Sequence, residues 1–164
     1  MMSAPIIRKA CPGEESAIHE AHMRSIREVC VKDHGEDEIS GWGNRPLGNR
    51  WTDAIRDQSV WVIEMNGKIY GQGFIRIFSE NDENKAHIHG LYLTPEVLGR
   101  GLGQQLAHLM IEAARKAGVK RITLESTLTA HEFYKRLGFA DTGPMGRQEI
   151  AGHQVRYYPM ALSL

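Results

Sequence analysis

The chain has 164 residues, 41% hydrophobic and 24% charged, a composition that fits one globular domain over residues 1–164 with a core of its own. Twenty basic and twenty acidic residues cancel to a formal net charge of zero, which argues against a nucleic-acid coat or a charged membrane patch. No window is apolar and long enough to span a bilayer, and no basic start leads into a long apolar run, so a cytoplasmic location is expected.

In chain order, Ile6 to Ala10 reads as a short strand. Pro12, Gly13 and Glu14 open a helix, and Ile18, Ala21, His22, Ile26, Val29 and Cys30 give it one apolar stripe. Asp33, His34 and Gly35 end that helix, and a second short helix runs from Glu36 to Trp42. Gly43 to Arg50 is a loop, and a short helix covers Trp51 to Arg56. Val60 to Met65 is a strand, Asn66-Gly67 a hairpin turn, and Ile69 to Phe78 the returning strand. Ser79 to Lys85 is polar and reads as a loop, and His87 to Leu93 is a fourth strand. Gly101 to Ala117 is the most sharply patterned helix. Leu102, Leu106, Leu109, Met110, Ala113 and Ala117 line one face, and Gly118 closes it. Arg121 to Glu125 is a strand. Thr129, with Glu132 three residues on, reads as a capping box for the next helix. Strands near Phe139–Asp141 and Val155–Leu162 close the chain. A mixed α/β sheet covered by helices on both faces is the natural packing.

The turn Leu98-Gly99-Arg100-Gly101-Leu102-Gly103 lies between a strand and the long helix. Alternate glycines let successive backbone N–H groups converge, and the helix N-terminus adds unpaired N–H groups and the positive end of its dipole. The result suits a phosphate, with Arg100 able to add a charged contact. No Gly-Lys-Ser/Thr follows, so this is not a P-loop. The tight spacing and late position also differ from a dinucleotide fingerprint. Standing alone, the turn fits a plain tight connection equally well.

Leu91-Tyr92-Leu93-Thr94-Pro95, then Gly99-Arg100-Gly101-Leu102-Gly103-Gln104-Gln105-Leu106, then Ala130-His131-Glu132-Phe133-Tyr134-Lys135-Arg136-Leu137-Gly138-Phe139 resembles the GNAT acetyltransferase superfamily. The resemblance covers nearly the whole chain. The segments around Val29-Cys30 and Ser126–Ala130 are similar to bacterial small-acceptor members. The resemblance implies a mostly antiparallel sheet of about seven strands, splayed between the fourth and fifth. It implies acetyl-CoA as cosubstrate, held by Leu91, Tyr92, Leu93, Leu98, Gly99, Arg100, Gly101, Leu102, Gly103, Gln104, Thr127 and Tyr134. The backbones of Leu91 and Leu93 would take the pantetheine and acetyl oxygen, and amides from Gly99 to Gln104 the pyrophosphate. Two positions depart from the family. Leu98 stands where Gln or Arg is usual, and Thr127 where many members carry Asn.

Acyl transfer to an amine needs a base for the ammonium and an acid for the departing thiolate. By its place in the family motif, Tyr134 is the candidate acid. His87 and His89 alternate on one strand, on the face of Leu91 and Leu93, and are candidates for the base. In several family members a strand carboxylate stands where His87 does. Trp42, Arg45 and Trp51 fall in the segment that usually walls the acceptor, where aromatic rings either hold an amine or anchor helices. His22, on an apolar stripe, is a weaker acceptor-site candidate. Cys11 and Cys30 lie outside any CxxC motif, and the eight histidines show no His-x-x-x-His, so no metal is expected. The expected partner is a small amine. A protein N-terminus or lysine is the alternative within the same chemistry, and a CoA-binding sensor without turnover the alternative outside it. The C-terminal strand ending Tyr157-Tyr158-Pro159-Met160 could pair across a homodimer, interrupted locally at Pro159.

Overall fold

The structure, a computed structural model, describes residues 3–164. It holds β1 (Ile6–Lys9), α1 (Glu15–Ser25), α2 (Val31–Trp42), α3 (Arg50–Arg56), β2 (Val60–Met65), β3 (Lys68–Glu80), β4 (Glu83–Leu93), α4 (Leu102–Lys116), β5 (Arg121–Ser126), α5 (His131–Arg136), β6 (Ala140–Asp141), β7 (Gly146–Ile150) and β8 (His153–Ser163). The strands lie in the order β1-β2-β3-β4-β5-β8-β6, with β7 also on β8. All pairs are antiparallel except β4–β5. The expected mixed, mostly antiparallel sheet is present, with eight strands among the described residues rather than about seven.

Both faces of the sheet are covered. On one, Met110, Ile111 and Ala114 of α4 join Ile75, Ala86, Ile88, Ile122, Leu124 and Met160 of the strands. Along α4 the buried stripe is Leu102, Leu106, Ala107, Met110, Ile111 and Ala114. Leu109, expected on it, is 42% exposed, because the true stripe runs through the small Ala107 and Ala114. On the other face, Ile18 packs with Trp51, Ala54 and Ile55 of α3 over Val60 and Val62. Met23, Ile26, Cys30, Ile39 and Trp42 pack with Val155 of β8. Helices α1 and α2 join through a π-helical turn at Ile26–Cys30, and Gly35 (φ +83°) breaks α2 where two helices were expected to meet.

Four local readings change. The polar stretch 79–85 is no loop: β3 and β4 run to within two residues of each other, and Asn81 and Asp82, both at positive φ, make the tight turn whose twist matches the strands. Strand β7 was absent from the sequence reading because Gly146–Ile150 (GRQEI) carries no alternation and no residue of it is fully buried. The capping box fails: α5 starts at His131, Thr127 Oγ1 accepts the Ala130 N–H (3.1 Å), and Thr129 makes no cap hydrogen bond among the described residues. Finally, Tyr158–Met160 of β8 is paired within the chain rather than lying at an exposed edge. Strand β5 pairs with one side of it, and β6 and β7 share the other. Pro159, lacking an N–H, sits at the break between β6 and β7, where only its carbonyl is used, by Thr142 N–H.

Candidate active site

The parallel pairing of β4 with β5 covers only Ala86–Ile88 against Ile122–Leu124. Beyond Ile88 the strands separate, and this splay is the foundation of the site. Thr94 N–H donates to Tyr70 O of the strand before it (2.8 Å). By alternation, the backbone groups of Tyr92 also point to β3, while those of Leu91 and Leu93 point to the side β5 has left. Ser25 Oγ donates to Leu93 O there (2.8 Å).

The glycine turn follows. Leu98 is extended, Gly99 and Gly101 stand at φ +71° and +77°, and Gly101 is the N-cap of α4. A side chain at either glycine would be strained. The first turn of α4 carries no acidic residue, so nothing competes for its N–H groups. A Cβ on Gly103 would lie 3.5 Å from the Phe133 ring and meet nothing closer. The fold does not require glycine there, yet Gly103 lines a cavity of about 170 Å³ with Val29, Cys30, Leu91, Leu93, Leu98, Thr129 and Phe133. Leu98 keeps 45% of its surface exposed. Arg100 lies against Met65, with Nη1 3.6 Å from the sulfur. The Cys30 thiol is buried and pushed up to about 12, chiefly by burial.

A second cavity of about 270 Å³ is polar. His22, Trp42, Arg45, Arg50, His87, His89, Tyr92, Glu125, Thr127, Arg156 and Tyr157 are among the residues that line it. Tyr92 and Thr127 line both cavities, so the two meet at the splay.

The histidines are not on the face expected of them. In the β3–β4 register, Phe74 pairs Gly90 while Ile75 pairs Ile88, which leaves His89 as an extra, bulged residue. The bulge shifts the alternation by one. Ala86 and Ile88 before it, and Leu91 and Leu93 after it, face α4. His87, His89 and Tyr92 face the polar cavity instead. Gly90 makes room for this: a Cβ there would come 2.8 Å from the Tyr92 ring.

His87 Nδ1 lies 2.8 Å from Thr123 Oγ1. Its ring meets that of His89 edge-on at 4.8 Å, and His89 lies at 4.8 Å from Phe74. Burial lowers the pKa of both. Glu125 partly opposes the shift at His87, whereas His87, Arg50 and Arg76 deepen that of His89 to about 4. His22 is 3% exposed, packed on Tyr92 and Trp51, and held well below 6.5 by burial. Trp51 is itself buried and anchors α3, so its ring is not open to a ligand. Arg45 Nε donates to Trp42 O (2.9 Å).

Tyr134 is 4% exposed, with its ring edge-on to Phe133 and Phe139 in the core under α4. Burial raises its pKa, and neighbouring Tyr92 adds to this. The side chain lines neither cavity. Sequence reasoning missed Arg50, Glu125, Arg156 and Tyr157. Arg50 beside Trp51 was read only as a loop end. Glu125 was visible as the residue two on from Thr123 in an alternating strand. Arg156 and Tyr157 depend on the β7–β8 hairpin, which had no signal. Among the described residues no group of three His, Cys, Asp or Glu side chains could hold a metal, and no helix is long and apolar enough to cross a membrane.

The uncharacterised N-acetyltransferase YjgM of Escherichia coli is 34% identical over 49% of this chain and 50% of its own length. The chain spans about half the length of several of the curated relatives it matches. An IAA acetyltransferase of Azospirillum brasilense is 30% identical over 80% of this chain and 85% of its own. The PaiA N-acetyltransferase of Thermoplasma acidophilum, solved with coenzyme A, has the same fold, with TM-score 0.76 at 18% identity over 99% of this chain and all of that one. The family model for GNAT acetyltransferases matches residues 22–139. With the splayed β4 and β5, the bulge and the glycine turn, that match settles the family: the chain belongs to the GNAT acetyltransferases.

Proposed function

We propose that the chain transfers an acetyl group from acetyl-CoA to the primary amine of a small-molecule acceptor by direct attack. The observation that carries this is the meeting of two unlike cavities at Tyr92 and Thr127. One is apolar and runs beneath the glycine turn. The other is polar and holds imidazoles. The residues present fit CoA. Gly103 leaves open the space a Cβ would fill, Gly101 frees the N-terminus of α4, and Leu91 turns its backbone to the gap. Bound there, acetyl-CoA supplies an activated thioester.

The remaining work falls to side chains. His87, steadied by Thr123, takes the proton of the acceptor ammonium. Tyr134 is the acid we assign to the departing sulfur by its motif position: its own side chain lines neither cavity, but it neighbours Tyr92, which lines both. Thr127 keeps its own hydroxyl proton free, since its oxygen is the partner of Ala130 N–H. A polar space of about 270 Å³ lies below the usual range for drug-sized ligands, which favours a metabolite over a protein chain.

Thiol release across amino acids, polyamines, aminoglycosides and peptides tests this reading. Turnover is expected with small amines and not with peptides. Acetyl-CoA at about 100 times its Kd should raise Tm by about 5–10 °C. Tyr134→Phe preserves the ring packing and should lower kcat by about 10²-fold or more while keeping that shift. Absence of a shift at millimolar cofactor would overturn CoA binding. A shift without release would instead make the domain a sensor.

A further inference from the structure

The polar cavity has an uneven charge distribution. Arg45 and Arg50 line it, and neither has a carboxylate within salt-bridge distance among the described residues. By contrast Arg8 pairs with Glu14 and Glu64, Arg24 with Glu28 and Glu96, and Arg156, also in the cavity, with Glu38. Arg45 and Arg50 are held by neutral groups. Arg45 Nε donates to Trp42 O, and Arg50 Nη2 lies 3.4 Å from His89 O. The Arg50 guanidinium also lies 5.2 Å from the Trp51 ring and 5.3 Å from that of Phe74. These contacts fix the two cations without neutralising them; burial is the first cause of the lowered pKa of both, although Arg50 remains an exposed residue. His22 beside them is buried, and its Nε2 has no partner among the described residues. The one carboxylate among the lining residues is that of Glu125, whose charge acts on His87. Two uncompensated guanidiniums facing one concave site leave charge and donors open to an anion, and their planar forks match carboxylate or phosphate oxygens.

We propose that the acceptor is an amine that also carries a carboxylate or a phosphate, with the anion held by Arg45 and Arg50 and the ammonium directed to His87 and Glu125. The inference rests on the small-molecule acetyl-transfer reading above. The cavity is then complementary to a zwitterion, with its cationic end at Arg45 of the α2–α3 loop and Arg50 at the start of α3, and its anionic end at Glu125 of β5.

Matched pairs test it. Amino acids are compared with their amides, and 2-aminoethyl phosphate with ethanolamine, by thiol release under saturating acetyl-CoA. The anionic member of at least one pair should have the higher kcat/KM, and which pair it is separates carboxylate from phosphate. Arg50→Gln and Arg45→Gln should raise KM for that member by about 10- to 100-fold. The loss should be larger for that member than for its neutral partner, with Arg50→Lys recovering part of it. Equal kcat/KM within every pair overturns the anion site and leaves the transferase reading standing. Calorimetry of the same amines against the CoA-bound protein covers the case without turnover. Binding of an anionic member that Arg50→Gln abolishes then supports the anion site and removes the transferase reading. Binding indifferent to charge or to both arginines overturns the anion site.

Discussion

His87 and His89 sit two residues apart on one strand, yet their surroundings suit them to different work. His87 has Thr123 at Nδ1, which fixes the ring and leaves Nε2 directed elsewhere. Glu125 lifts its basicity against burial, while burial first, and then His87 itself, Arg50 and Arg76, take His89 to about 4. A group titrating near 4 is a poor acceptor for an ammonium proton at neutral pH. The acid limb of the kcat/KM profile should therefore lie below about 6.5, with activity lost as pH drops and His87 gains its proton. His87→Gln should remove that limb and lower kcat/KM by about 10²-fold or more, and His89→Gln should leave the limb in place. A limb near 4 that disappears only in the His89 variant would reverse the assignment.

Between β4 and α4, a strand bulge and a glycine turn together make the site, and they were unequally legible. The turn was open to reading because glycines at 99, 101 and 103 before an amphipathic run have a direct backbone meaning. The bulge was not. Its sequence signs are weak, an interior glycine at Gly90 and a switch of the apolar positions from Ala86 and Ile88 to Leu91 and Leu93, and the inserted residue is fixed only by the pairing with β3. The error carried His87 and His89 to the wrong face while leaving Leu91 and Leu93 on the right one. The polar cavity as a whole was hidden for a related reason. Its walls come from α1, α2, the start of α3, β4, β5 and the unpatterned β7–β8 hairpin, which only the folded chain brings together. At the turn, Gly103→Val separates fold from ligand. Its Cβ position meets the Phe133 ring at ordinary contact distance, so the urea midpoint should hold. The branched side chain would occupy the cavity under the turn, and the Kd for CoA should rise about tenfold or more. An unchanged Kd by calorimetry would remove Gly103 from the cofactor site.

At the scale of the molecule, buried imidazoles tie the two halves of the sheet together and set its response to acid. His34 has no exposed side-chain surface. Its Nε2 accepts the Leu128 N–H (3.0 Å), so Nδ1 carries the proton and donates to Glu38 (2.6 Å), which in turn receives Arg156 of β8. One ring thereby joins α2, the β5–α5 connection and the hairpin over the polar cavity. Burial is the first cause of its lowered pKa, as it is for His22, His87 and His89. Each of these groups binds its proton more readily in the unfolded chain than in the fold. Their contribution is therefore complete above about 6.5 and is lost as pH falls from there toward the folded values, about 4 for His89. Glu14, Glu38 and Glu96 have lowered values of their own, so their contribution is lost below about 4.5. The urea midpoint should thus be level near pH 7–8 and fall between pH 6.5 and 4.5, in a range where the carboxylates are still charged. His34→Gln can keep an acceptor for Leu128 and a donor for Glu38 but has no proton to gain. It should make that fall shallower, whereas His34→Ala should cost about 1–3 kcal/mol at pH 7 by leaving both groups unpaired. A midpoint constant from pH 7 to 5, or a fall just as steep in His34→Gln, would show that this ring does not set the acid response.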